Sequence, residues 1–524
     1  MITELKFRSL RLPYTMQMKN NRIQENIRPF ILILALALFM SFCLDMTNNT
    51  LRSTSYVFLI VVFALLVVAF WRNISKDAVV WTMVAGAFLK ASYILYTPVW
   101  ERQHDVIDFG AGEGHAAYIE YILYNRSLPD FDPRSVWAFF QPPLHHFVSA
   151  AWMWINIRLK IAERHLYENV QVLPLCYMLV MTLVIYGICR ELSMTNRATF
   201  ITMLIVSFHP IYVLLSGSIN NDALALVLSA FSVYVALLWY KKPSFGKIIL
   251  LALSVGLAMM AKLSSALVAP PIGVMILYKI VTDVKSKKSP LFRYICQVAA
   301  FAAVVFPLGL WWPVRNLLKW DMPVNYIPEV GEQLVKTDIF SRLFDLRTST
   351  VYPCMVSHGQ AYDEYNVILA MIKTSLFGEY DYSLLSGKIT PFATLTFIFG
   401  ILSAVTGIAA VVYILVKKDA PIDLGEKILL GGSVVCLLGG YFLFALSYSN
   451  FSAQDFRYSA LAIAIIAVFI GLLYDRLTVL ITAGGDDKSI KKISKVKNGI
   501  YVICVIFALS AFITYMLVGY YTIY

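Results

Sequence analysis

Residues 101–165 read ERQHDVIDFGAGEGHAAYIEYILYNRSLPDFDPRSVWAFFQPPLHHFVSAAWMWINIRLKIAERH, a stretch holding five of the seven histidines together with Glu101, Asp105 and Asp108. A carboxylate here can take a proton from an attacking hydroxyl, and an imidazole or a second carboxylate can share a metal ion with it. Four more polar positions punctuate apolar sequence: Asp222 in SINND, Lys262 in AMMAKLSS, Arg315 in WWPVRN and Arg457 in SAQDFRYS. Two carboxylates and three cations suit an anionic, phosphate-bearing substrate. Cations hold the charge that grows on a leaving oxygen, and a carboxylate serves as base or metal ligand. Taken singly, each is equally a snorkelling or solvated residue at a membrane helix end. The weight comes from all five falling on one side of the topology derived below. His145 and His146 follow Pro142-Pro143, and adjacent helical residues point in different directions, so at most one of them faces a site. His146 is the one assigned to the substrate. His115 either shares a metal with Asp105 or is an interfacial histidine bonded locally.

The elements that hold these residues must be membrane helices. Of 524 residues, 59% are hydrophobic and 15% charged, with mean hydropathy +0.69. Soluble domains carry about 25% charged residues, so the apolar excess here must face lipid. The net charge of +12 falls in short clusters between apolar runs, as the positive-inside rule produces, and not along a nucleic-acid-binding face. There is no glycine fingerprint or Walker loop to support a nucleotide-dependent activity. The seven cysteines form no CxxC pair and read as small core hydrophobes, with Cys354 alone in an expected outer loop.

A span needs about 20 mostly apolar residues. Runs near 29–44, 56–71, 79–96, 172–188, 200–215, 223–240, 248–260, 264–278, 294–310, 392–415, 429–446, 460–473 and 500–517 predict about thirteen. Residues 1–28 carry six basic residues, show no cleavable signal and are expected in the cytoplasm. The C-terminus is then outside. Two spans in 29–78 precede a module over 79–524. That module has a first extracytoplasmic loop at 98–170 and a large one at 311–390, too long for a mere connection. Within the first loop, a helix over 112–124 and a proline-led amphipathic helix from 144 are expected. The second suits the membrane interface, where it walls a cavity.

This pattern resembles the GT-C superfamily of polytopic membrane glycosyltransferases, most closely the branch of protein O-mannosyltransferases and lipid A aminoarabinose transferases. Four islands carry the resemblance in order: HDVIDFGAGEGHAAYIEYILYNRSLPD with FFQPPLHH, HPIYVLLSGSINNDAL, GLAMMAKLSS and WWPVRN. It implies an all-α integral protein of a bacterial plasma membrane that transfers a sugar with inversion. The implied donor is a polyprenyl-phosphate sugar, and the implied acceptor an extracytoplasmic glycan, lipid or protein. Asp105 resembles the general base. Asp222 resembles a second acid that positions the acceptor or shares a divalent Mg or Mn ion with Asp105. Lys262 and Arg315, joined by Arg457 and His146, resemble the groups at the lipid phosphate. Two departures stand out: His104 occupies the place of the usual acidic neighbour of Asp105, and two extra spans come first. The rival reading is a transporter or flippase of a lipid-linked sugar, which predicts midplane charges, paired broken helices and an internal repeat. The polar residues here sit at outer helix ends instead, and no repeat is visible. A third reading, an assembly subunit without catalysis, would make the acids dispensable.

Overall fold

The computed structural model describes residues 21–44, 49–74, 77–103, 105–328, 338–353, 366–448, 452–484 and 486–523, and every regular element among them is helical. His104, Cys354 and His358 lie outside the described residues. Three helices come first: α1 (Asn21–Cys43), α2 (Asn49–Ala69) and α3 (Ala78–Leu95). The loop that follows contains α4 (Gly114–Asn125) and α5 (Leu144–Arg158). Then come α6 (Val172–Glu191), α7 (Asn196–Phe208), α8 (Asp222–Lys241), α9 (Phe245–Ala261), α10 (Ala269–Lys285) and α11 (Leu291–Trp320). After a second long loop with α12 (Val367–Phe377), the chain closes with α13 (Thr390–Val416), α14 (Leu424–Ser447), α15 (Leu461–Thr482) and α16 (Asp487–Ile523).

Ten of the described helices are long and apolar enough to cross a membrane. In lipid, a helix satisfies its own backbone hydrogen bonds, which is why these runs of Leu, Ile, Val and Ala fold as they do. The spans expected near 29–44, 200–215 and 248–260 fall on shorter apolar helices, so among the described residues length and composition alone support ten crossings of the thirteen expected. Helix α5 has 15 residues, short of a span. It exposes Phe147, Trp154, Ile155 and Ile157, the apolar face expected of an interfacial helix.

The centre of the bundle is α15, buried from Leu461 to Tyr474 on nearly every side. A helix that is apolar all round belongs inside, and α7, α13 and α16 surround it. Helix α8 packs against α6 and α9, and α9 lies along α11. The N-terminal pair is fastened by a buried ion pair: Arg52 Nη2 of α2 meets Glu168 Oε1 at 2.5 Å, and Gln171 Nε2 donates to Glu168 at 2.9 Å. The ends of α3, α9, α11 and α14 and the starts of α8 and α15 gather at one end of the bundle, around one cavity.

Candidate active site

The segment after α3 is held in an unusual conformation. Asp105 (φ 56°) and Ile107 (φ 54°) both sit in the left-handed region, which costs a non-glycine residue on the order of 1–3 kcal/mol. Surrounding bonds impose it. His115 N–H donates to Asp105 O (3.2 Å) and Ala116 N–H to Val106 O (3.0 Å), which draws the start of α4 against the loop. Gly114 permits this approach: its φ is +83°, and a Cβ there would lie 2.4 Å from Val106 O. On the other side, the Gln103 amide donates to Gly217 O (2.9 Å) and accepts from Ile219 N–H (3.0 Å), fixing the loop to the turn before α8.

Asp105 thereby reaches a network of charges. Arg457 Nη2 lies 2.5 Å from Asp105 Oδ2, while its Nε lies 3.6 Å from Asp222 Oδ2 and 3.4 Å from Asp455 Oδ2. The guanidinium side chain is 2% exposed, so three carboxylates converge on one buried cation. Asp455 caps the short 3-10 turn Phe456–Ser459 by accepting from Arg457 N–H (2.9 Å). Asp222 opens α8, where a negative charge also suits the helix dipole. Its other oxygen is paired with Lys262. Lys262 follows the last residue of α9 in an extended conformation, which turns its side chain toward Asp222 and the face of Tyr458, 4.5 Å from the ring centre.

With more carboxylates than cations, protons are retained. Burial, and the charges of Glu379 and Asp222 against that of Lys262, push the Asp105 carboxyl up to about 6. Burial holds Glu379, which follows α12, at about 7. Burial and the Glu379 charge raise Asp455 well above the carboxylate range. Glu379, in KTSLFGEYDY, and Asp455, in SAQDFRYS, are site residues that the sequence leaves unassigned, because no spacing links them to Asp105.

The histidines of the first loop form a separate layer. His115 Nδ1 and His146 Nε2 are 2.8 Å apart, with ring centres 5.1 Å apart and planes 8° from parallel. Centres separated by little more than the hydrogen bond plus two ring radii mean that the rings lie edge to edge in one plane, not face to face. Tyr118 stacks on His146 at 4.1 Å, and Phe139 stacks on Tyr118 at 4.5 Å. Of these histidines, His115 lines the cavity, whereas His145 and His146 are fully buried behind it. Burial lowers all three, His145 to about 4, so they are neutral at pH 7.

The cavity encloses about 470 Å³. Asp105, Asp222, Lys262, Asn221 and His115 contribute polar surface, and Leu263, Leu267, Val324, Ile327, Tyr441 and Phe444 are among its apolar walls. Asp105 is 38% exposed, so its carboxyl is reachable. Of the residues expected at the site, Asp105, Asp222, Lys262 and Arg457 are brought together. Arg457 stands behind the cavity wall, bonded to Asp105, while Arg315 and His146 neither line the cavity nor join this charge network. Arg315 Nη2 donates to Pro129 O (2.5 Å), and its guanidinium packs 4.7 Å from both Trp312 and Trp320, turned toward the first loop. The expected metal pair does not fit a resident ion. Asp105 and Asp222 each already face a cation, and among the described residues no three His, Cys, Asp or Glu side chains converge to ligate one.

The sequence model of the dolichyl-phosphate-mannose-protein mannosyltransferase family matches residues 144–312. The resemblance drawn from the sequence islands is borne out over that third of the chain, which includes Asp222 and Lys262 but neither Asp105 nor Arg457. No curated protein matches. Among solved structures, ArnT from Cupriavidus metallidurans in the apo state overlaps at 13% identity and TM-score 0.48, over 86% of this chain and 78% of that one. The same protein bound to undecaprenyl phosphate gives 12% and 0.46, over 84% and 76%. The oligosaccharyltransferase AglB from Archaeoglobus fulgidus, in complex with an inhibitory peptide and a dolichol-phosphate, gives 14% and 0.47. This chain spans 56% of that protein's length, and 86% of its own takes part.

Proposed function

We propose that this multi-pass membrane protein is a glycosyltransferase that moves a sugar from a polyprenyl-phosphate donor to an acceptor hydroxyl or amine on the extracytoplasmic side, with inversion. The observation that carries the reading is one cavity in which a reachable carboxylate and a reachable cation share a polar region beside apolar walls. An amphipathic lipid phosphate has both halves of that surface. Lys262, 14% exposed, takes the phosphate and offsets the charge that grows on it as the glycosidic bond breaks. Asp105 takes the acceptor's proton. Its carboxyl, held near 6, is a stronger base than an ordinary carboxylate yet ionised at pH 7. A base on one side and a cation-held leaving group on the other suit a single displacement. Arg457, committed to three acids, aims Asp105 and keeps the cluster together; Arg315 and His146 support the walls. No step is routed through a metal ion. The family match over 144–312 supports this reading. On it, residues 79–524 form the catalytic module, the N-terminus is cytoplasmic and the membrane is a bacterial plasma membrane.

Asp105→Asn keeps size and polarity but removes the base, and general-base catalysis contributes about 10²–10⁴-fold. The variant should lose transfer by that factor while still binding polyprenyl phosphate in reconstituted membranes. Transfer near the wild-type rate would remove Asp105 from the mechanism.

A further inference from the structure

The paired histidines His115 and His146 make a hydrogen-bond acceptor of fixed direction on the cavity wall. Both rings are neutral and coplanar, so a single proton lies between His115 Nδ1 and His146 Nε2. Which ring donates is decided at the far nitrogen of His146. His146 Nδ1 is buried without a full hydrogen bond of its own, and the backbone group that acts on the ring is the Pro142 carbonyl, which can only accept. A bare Nδ1 would set two lone pairs against each other, whereas a protonated Nδ1 faces an acceptor. His146 therefore carries its proton on Nδ1, and its Nε2 accepts from His115 Nδ1–H. His115 is then left with an unprotonated Nε2 as its remaining polar atom. His115 belongs to the cavity wall, and its backbone N–H is bonded to Asp105 O. The arrangement is rigid, because Tyr118 and Phe139 stack in series on His146.

We propose that His115 Nε2 accepts a hydrogen bond from a hydroxyl of the sugar carried on the lipid phosphate, making His115 a specificity-determining residue and His146 the positioning residue that fixes its tautomer. This rests on the donor reading above. The sugar is the part of the donor next to the phosphate, and the Lys262 charge is felt at His115, which places the two in one region of the cavity. Burial, with the Lys262 charge adding to it, keeps the imidazole neutral, so it offers a lone pair to a hydroxyl and has no second N–H with which to hold an anion.

The test compares binding of polyprenyl phosphate with binding of polyprenyl-phosphate mannose and polyprenyl-phosphate glucose to the full chain in nanodiscs. The wild type should bind at least one sugar lipid more tightly than the bare lipid. His115→Phe should lose that increment, about 3- to 10-fold for one hydrogen bond, with bare-lipid affinity unchanged. His115→Gln, which retains an acceptor oxygen, should keep much of it, and His146→Phe, which frees the tautomer, should lose part. Two results would overturn the proposal: His115→Phe keeping the full increment, or losing bare-lipid affinity by the same factor. A wild type that binds neither kind of lipid would instead overturn the donor reading itself.

Discussion

Asp105 acts as a base only when ionised, and its carboxyl is held near 6. Below that value the fraction of usable enzyme falls tenfold per pH unit, so transfer measured at subsaturating donor should rise through about pH 6 and then level off. Glu379 and Asp222 push the limb upward, and Lys262 pulls it down. Asp222→Asn removes a negative neighbour and should move the limb to lower pH; a shift the other way would contradict the electrostatic origin. Lys262 makes a different prediction. Lys262→Met should weaken polyprenyl phosphate binding at least tenfold and leave Asp222 with one fewer cation. Adding Asp222→Asn should recover thermal stability without recovering binding, since the two losses have separate causes.

At the scale of elements, the first loop depends on Gly114. A methyl group there would strike Val106 O and strain a backbone held at φ +83°. Gly114→Ala should open the 105–114 segment to limited proteolysis and depress transfer, while the melting of the helical bundle, which does not rest on this turn, changes little. The reach of sequence reasoning divides at this scale. Helices were legible because apolar runs in lipid have one way to satisfy their backbone. Asp105, Asp222, Lys262 and Arg457 were legible because charges beside apolar helix ends are costly unless used. Their partners were not. Arg457 stands 352 residues from Asp105, and His115 stands 31 from His146, so only the folded chain shows which of them meet. Arg315 looked like its fellow cations at a helix end, but the first loop folds back and offers it Pro129 O and Asp130. The apolar run at 200–215 likewise gave a position but not a length, because Pro210 divides it between α7 and the short helix Pro210–Leu214.

For the whole molecule, the gathering of helix ends around one cavity makes topology testable. Single cysteines introduced at Ala111 and Ser489 should label from opposite faces of the membrane, the first from outside and the second from inside; labelling from one face would invert or break the proposed arrangement. The buried pair Arg52–Glu168 joins the first two helices to everything that follows. Arg52→Ala leaves Glu168 buried without its cation and should cost about 3–5 kcal/mol, read as a lowered melting temperature. The same pair also constrains the order of biogenesis. Glu168 is made more than a hundred residues after Arg52. At roughly 5–20 residues per second, the arginine waits on the order of 10 s for its counter-charge. During that interval α2 has a cation at its end that only headgroups or the insertion machinery can satisfy. This ion pair can therefore form only after the first loop has been made, so α3 is synthesised before α2 gains that fastening.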